Sequence, residues 1–357
     1  MTLKRPGPVL VTGAAGFAGS YIVRALLDAG YDVVGFDLAD YRPEARFVVG
    51  DRARDIPLER GSIDNWPRIV EVFLRHRPTM VVHAGGVMDI GFLNRHPIVA
   101  LNTNVGGTVN VLEASRLVGG VQRFVYLSSV AAIGRKLYEP MDANHPTLSA
   151  HGGPLGAYGA AKVASEAFCF AYTQNYGIDT RVVRPSAVYG FGMSWFAPNY
   201  MKNVLEAALL GQEVRLPTGA GVPRDYTNAV DLASLIVAIL QGPAEAERIF
   251  FAATGQPLRT AGDVAALTRE LVPGSVVEIG SEFTPADLKE LPIRGRYSIQ
   301  NAVEGLGWQP RFADLRDGMV DYIARFKAFI AAGGTPTPMP PELRGAPGQA
   351  SAGNAPN

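Results

Sequence analysis

The chain has 357 residues, 47% of them hydrophobic, enough to bury a full core in one large or two modest domains. Lysine plus arginine equal aspartate plus glutamate at 33 each, which excludes a net field that would draw in nucleic acid or an anionic membrane surface. Cys169 is the only cysteine, so no intramolecular disulfide is available, as suits a reducing compartment.

The start, Met1–Pro8, lacks the pattern of a signal peptide, because Lys4 and Arg5 are followed only by the short run Val9–Val11. The longest apolar run, Leu232–Leu240, falls far short of the roughly 20 residues that span a bilayer. The expectation is a soluble cytoplasmic protein with a small-molecule substrate, no nucleic-acid partner and no membrane partner.

Val9-Leu10-Val11 reads as a strand that runs into Gly13, Gly16 and Gly19, three glycines spaced three apart. The helix that follows, Tyr21–Ala29, carries Ile22, Val23, Leu26 and Leu27 at helical spacing and stops at Gly30, a residue suited to a left-handed helix end. A second strand, Tyr31–Phe36, ends at Asp37. Together these form one βαβ unit with an acid about 20 residues beyond the glycines, the spacing of a dinucleotide cradle. Gly13 permits the tight turn, Gly16 lets the backbone approach a pyrophosphate, and Gly19 lets helix and strand pack closely. The helix N-terminus then faces the phosphates. Asp37 accepts hydrogen bonds from the adenosine ribose hydroxyls. A carboxylate about 4 Å from a 2′-phosphate repels it by about 4 kcal/mol per charge at intermediate dielectric, so NAD rather than NADP is the expected cofactor. Leu38 and Ala39 offer no cation for such a phosphate, although Arg42 is near in sequence.

From Asp37 to about Gly120 strand and helix alternate, which predicts an α/β fold with a doubly wound parallel sheet. Phe47-Val48-Val49 reads as a short strand or loop segment, and Gly61-Ser62-Ile63-Asp64 leads into a helix over Trp66–Arg75. Met80–Gly86 is a buried strand ending in a small-residue turn, a second glycine-rich wall for the cofactor. Ala100–Leu117 reads as a helix carrying Asn102 and Asn104, and Arg123–Leu127 as a strand ending in Ser128-Ser129. A polar loop, Arg135–Pro154, is long enough to cover an active site and precedes the helix Tyr158–Tyr176. The strand Thr180–Arg184 ends at Pro185. Ser194–Leu210 and Asp231–Gln241 read as helices, with Asp231 as the N-cap of the second.

The chemistry centres on Tyr158 and Lys162, which are four apart on a helix and therefore point into one cleft. A tyrosine phenol titrates near 10. A neighbouring ammonium and the positive charge of an oxidised nicotinamide favour the phenolate, and a shift of about three units makes Tyr158 an effective base at neutral pH. It then takes the proton of a substrate hydroxyl while hydride leaves the same carbon, with Ser129 orienting that oxygen. His83, His96, His145 and His151 lack ligand spacing and fall in separate elements, so no metal is expected and His83 reads as a packing residue. Met193, Trp195 and Phe196 line either a substrate pocket or an interdomain core.

Eight motifs, in order, carry a resemblance: Thr12–Gly19, Val82–Gly85, Asn104–Thr108, Leu127–Ser129, Tyr158–Lys162, Arg184–Gly190, Arg224–Tyr226 and Leu306–Pro310. On these the chain, from about Val9 to Phe326, resembles an extended short-chain dehydrogenase/reductase of the NAD-dependent epimerase/dehydratase group. The resemblance implies a Rossmann domain over 1–192 with returning segments at about 222–255, and a smaller α/β substrate domain over 193–330. The Gly-, Ala- and Pro-rich stretch 331–357 is expected to be a disordered tail.

The resemblance also implies NAD contacts at Gly13, Gly16, Phe17, Gly19, Asp37, Ala84, Gly85, Asn104, Tyr158, Lys162 and Pro185, with Ser62 and Ile63 at the adenine. Serine stands at Ser62 where the family has an acid. Substrate contacts fall on Ser129, Ser186, Asn199 and Arg224, and distance to Gly134 favours Ser129 over Ser128 as the catalytic serine. Arg224 matches an arginine that contacts the diphosphate in sugar-nucleotide enzymes, or else makes an interdomain salt bridge. Leu291–Arg296 lacks the Arg-x-Gly-Asp pattern such enzymes carry before the final helix. Val130 and Ala131 stand where 4,6-dehydratases place Asp and Glu, which removes elimination chemistry. Three readings remain: a nucleotide-sugar epimerase with Tyr158 as general base; an NAD-dependent dehydrogenase of a non-nucleotide alcohol that releases NADH; and a catalytically silent NAD-binding scaffold or redox sensor. Relatives pair as homodimers through the Tyr158 helix and the helix around Ala100–Leu117, where Ala160, Ala161, Ala164 and Ala167 permit close approach.

Overall fold

The computed structural model describes residues 7–147, 156–194 and 200–338. Seven parallel strands form its central sheet: β1 (Val9–Thr12), β2 (Val33–Asp37), β3 (Leu58–Arg60), β4 (Met80–His83), β5 (Arg123–Leu127), β6 (Thr180–Pro185) and the strand Ile249–Ala252. Their spatial order is Ile249–Ala252, β6, β5, β4, β1, β2, β3. The chain winds outward from β1 in one direction and from β4 in the other, so the two strands leave a crevice between their carboxyl ends, where α/β sheets of this kind bind ligands. Every residue of β1 and β4 is buried, as a parallel sheet covered on both faces requires.

The alternation of side chains divides the core. Val9 and Val11 face a large cluster with α1 (Phe17–Asp28) and the helices Ala229–Gln241 and Leu315–Ala331. Leu10, Val34 and Phe36 point the other way, onto α3 (Trp66–His76) and the helices Gly107–Val118 and Gly156–Tyr176. The outer segment holds three small two-stranded sheets: Ala187–Tyr189 with Tyr226–Asn228, Pro223–Arg224 with Arg259–Thr260, and Val214–Leu216 with Val277–Ile279.

Several expectations are corrected. Phe47-Val48-Val49 forms no strand: it ends the helix α2 (Pro43–Val49), which starts on Pro43 and stops at Gly50, whose φ is +82°. Ala45, Val48 and Val49 are buried on one side, and the Phe47 ring meets Phe191 and Phe329 edge-on at 5.8 and 5.4 Å. The β-branched pair suggested a strand, but the place beside β2 is taken by β3. Residues 100–106 form a π-helix before the regular helix Gly107–Val118. Asn228, not Asp231, caps the helix Ala229–Gln241 by accepting from the Val230 N–H at 2.9 Å. The Asp231 carboxylate instead accepts from the N–H groups of Arg311 and Phe312, at 2.7 and 2.9 Å. The packed chain also continues past Ala331, because the Thr337 N–H donates to Glu44 Oε1 at 3.0 Å. The rest of the tail, 339–357, lies outside the described residues.

Candidate active site

The crevice is built first from backbone. Gly13 turns with φ +71°, and a Cβ there would lie 2.8 Å from the Gly85 nitrogen and 2.9 Å from the Ala84 oxygen. A Cβ on Gly19 would lie 1.9 Å from the Gly13 oxygen, so only glycine lets α1 start this close to β1. Gly16 precedes α1 in extended conformation, and no side chain caps the first turn, which begins at Phe17. Uncapped N–H groups at a helix start beside a glycine turn fit the diphosphate of a dinucleotide.

Asp37 closes this turn from the end of β2, accepting from the Ala15 N–H at 2.9 Å and the Ala39 N–H at 3.1 Å. Its carboxylate therefore braces the cradle. Ser62 and Ile63 follow β3, and Ile63 fills the space that Gly107 leaves, since a Cβ there would meet its Cγ1 at 2.6 Å. The opposite wall, Ala84–Val87, is held by a relay. The Gly85 N–H donates to Thr12 Oγ1 at 3.0 Å, which lies 2.7 Å from His83 Nδ1, and His83 Nε2 lies 3.1 Å from Thr108 Oγ1. Burial pushes His83 down to about 3, so it is a neutral member of that relay. Asn104 serves the same wall, its amide bonding both the N–H and the carbonyl of Val87, at 2.8 and 2.9 Å. Two bonds from that amide therefore hold the wall in place.

At the far side of the crevice three consecutive residues at the end of β5 meet the helix Gly156–Tyr176. Lys162 Nζ donates to the Leu127 carbonyl at 2.7 Å, Ser128 Oγ donates to Glu166 Oε1 at 2.5 Å, and the Ser129 side chain is close enough to the Tyr158 hydroxyl to favour its ionised form. Glu166 is clamped from β6 by Arg184, at 3.0 and 2.7 Å, and Pro185 follows directly. The structure thus brings Ser129, Tyr158 and Lys162 together.

It also corrects the electrostatics. Burial pushes Tyr158 up to about 12, with the Ser129 side chain opposing, and pushes Lys162 down to about 8, with Glu166 and Cys169 opposing. The phenol stands above its ordinary value, because Lys162 Nζ is aimed at a carbonyl and sits 5.6 Å from the centre of the Tyr158 ring. Protein groups alone do not ionise Tyr158.

Ser186 lies beyond Pro185. Its hydroxyl donates to Asp225 Oδ1 at 2.7 Å, beside Thr227 and Thr254, which also donate to Asp225, so toward a ligand it is left to act as an acceptor. Arg224, half-buried next to Asp225, lies on the short strand paired with Arg259–Thr260. Met193 is buried in the main core. Asn199, Trp195, Phe196 and His151 lie outside the described residues. Part of the long loop, 135–147, docks on the segment before the final helix, with the Met141 N–H donating to the Arg296 carbonyl at 2.8 Å and the Ser298 N–H to the Met141 carbonyl at 2.7 Å. Among the described residues, no group of three or more His, Cys, Asp and Glu is placed to hold a metal ion. Glu166 escaped the sequence reading, although its position one turn beyond Lys162 on the same helix face was a usable signal.

The model of the NAD dependent epimerase/dehydratase family matches residues 9–252. The chain belongs to this family. It is 30% identical over 328 residues to the UDP-glucose 4-epimerase of Mycolicibacterium smegmatis, covering 89% of this chain and 98% of that one. It is 31% identical over 258 residues to the mouse UDP-glucose 4-epimerase, covering 65% and 73%. Among solved structures, the UDP-glucose 4-epimerase of Thermus thermophilus in complex with NAD superposes with a TM-score of 0.75 at 27% identity, over 90% of this chain and 99% of that one. The chain is therefore an NAD-dependent enzyme of the extended short-chain dehydrogenase/reductase type, similar to nucleotide-sugar epimerases. Among the described residues, no helix is long and apolar enough to cross a membrane.

Proposed function

We propose that the chain interconverts the 4-epimers of a UDP-sugar, with Tyr158 as the general base. The observation that carries this reading is the meeting of Ser129, Tyr158 and Lys162 beside the glycine crevice. NAD, when bound, supplies the hydride acceptor. Tyr158 Oη takes the proton of the substrate hydroxyl, Ser129 Oγ holds that oxygen, and Lys162 supplies positive charge beneath the phenol ring. Tyr158 Oη would return that proton to the same oxygen as the inverted alcohol forms. In this reading Arg224 receives the nucleotide diphosphate. Incubating the protein and NAD with UDP-glucose, UDP-galactose and their N-acetyl and uronic acid forms, and following the sugar by NMR, tests the reading. Equilibration of a 4-epimer pair without accumulation of NADH supports it.

A second reading, a dehydrogenase of a non-nucleotide alcohol, is favoured by the segment Leu291–Arg296. Arg294 there is tied to Glu290 one turn earlier rather than standing in the arginine pattern of sugar-nucleotide enzymes. Stoichiometric NADH from sugar acids or hydroxysteroids, with no change in UDP-sugars, selects that alternative. We also infer a homodimer through the helices Gly107–Val118 and Gly156–Tyr176, on whose outer faces Leu117, Phe168 and Tyr176 are exposed. Ala160 and Ala167 are exposed on the same helix, whereas Ala161 is buried within the subunit. Sedimentation of the protein and of a Phe168→Glu variant tests this.

A further inference from the structure

Tyr158, Lys162 and Glu166 stand at successive turns of one helix face, and each meets a different residue at the end of β5. Ser128, the middle rung, is buried and spends its hydroxyl on Glu166. Arg184 locks the same carboxylate from β6, in an ion pair whose side chains are 2% and 4% exposed. One buried carboxylate therefore joins the ends of two strands to the helix that carries the base. Resting on the function proposed above, we propose that Glu166 is a positioning residue for the reaction: it sets the register in which Ser129 meets Tyr158 and supplies the negative charge beside Lys162.

The groups facing Lys162 are Glu166, Tyr158 and Cys169 on its own helix, Tyr126 on β5 with its ring centre 4.9 Å away, and His83 on β4. Burial keeps His83, Cys169, Tyr126 and Tyr158 neutral at neutral pH, which leaves Glu166, paired with Arg184, to oppose the cost of a buried ammonium. Cutting the Ser128 rung disturbs only the register. Removing the Glu166 charge disturbs both register and charge, and the loss of a nearby negative charge makes every proton in the site easier to release.

The test compares Ser128→Ala, Glu166→Gln and Glu166→Asp in the full-length NAD-loaded enzyme. Glu166→Gln is expected to lower kcat about tenfold with KM within about twofold, and to move the whole kcat–pH profile about one unit toward lower pH. Ser128→Ala is expected to lower kcat without moving the profile, and Glu166→Asp to restore the wild-type profile. Amide hydrogen exchange, which needs no substrate, is expected to rise at 128–132 in both Ser128→Ala and Glu166→Gln. A folded Glu166→Gln protein with wild-type exchange in that segment, or with an unmoved pH profile, overturns the proposal. A wild-type enzyme inert toward UDP-sugars overturns the functional reading instead, and the exchange measurement then decides the positioning claim alone.

Discussion

The two ends of the central sheet each set a carboxylate against buried arginine, and they do so to opposite effect. At the amino end, Asp179 accepts from Arg123, Arg181 and Arg248, and the first two are almost wholly buried. Those guanidiniums also donate to the carbonyls that end the helix Ala229–Gln241 and open the turn after it: Arg123 to Ile239 and Gly242, Arg181 to Ala244 and Glu247. Each guanidinium nitrogen of Arg123 and Arg181 has a fixed acceptor, so the cluster is a staple. At the carboxyl end, Glu166 and Arg184 satisfy one another beside Lys162 and Tyr158, both of whose protonation equilibria are displaced by burial. The difference lies in the neighbours. A buried ion pair surrounded by backbone carbonyls only holds, whereas one next to titratable groups also tunes.

The comparison is broken most severely by variants that should affect one end alone. Tyr158→Phe removes the proposed base while keeping the ring, and turnover is expected to fall about 10²- to 10⁴-fold with the melting temperature unchanged, the range that acid–base groups contribute. Asp179→Asn leaves buried guanidiniums without their counter-charge, and denaturant unfolding is expected to show a loss of about 3 kcal/mol with kcat preserved. Retained turnover in the first variant, or lost turnover with intact stability in the second, would erase the division between the two ends. A smaller effect sharpens it. Tyr158 in the protein alone holds its proton up to about pH 12. Adding NAD, but not NADH, is expected to lower its pKa by more than about one unit, read as phenolate absorbance absent from Tyr158→Phe, because only the oxidised ring is cationic.

What could be read from the sequence was what is local. The β1–α1–β2 unit announced itself through glycine spacing and apolar periodicity, and Tyr158 and Lys162 through the helical repeat, because each signal is completed within about 40 residues. The errors came where a side chain is claimed from far away. The hydroxyl proton of Ser186 goes to Asp225, 39 positions later, which no local pattern announces. Asp231 had the place of a cap but is drawn to backbone 80 and 81 positions on. Thr337 docks on Glu44 across 293 positions, which composition alone reads as an unstructured tail. The raised phenol of Tyr158 was hidden for a related reason, since burial depends on the packing of the whole fold.

The edge of the sheet supplies the mildest contrast with the two buried clusters. Glu59 on β3 is reached by His76 at 2.6 Å, Arg75 at 2.9 Å and Arg68 at 2.5 Å, all from α3. Burial opposes its ionisation, but the hydrogen bonds from His76, Arg75 and Arg68 outweigh that and hold Glu59 at about 2. A carboxylate whose folded value is depressed stabilises the fold fully above its unfolded value and loses that contribution as pH falls through the folded one. The window here runs from about 4.5 down to about 2. Arg75 is half exposed and screened, so the network is worth only about 1 kcal/mol at neutral pH. Glu59→Gln is therefore expected to lower the melting temperature slightly at pH 7, to flatten its decline below pH 4.5, and to lose most of its effect in high salt. A decline as steep as that of the wild type would mean that α3 is held to the sheet edge by its apolar face, Ile69, Val72 and Phe73, with the charges contributing nothing measurable.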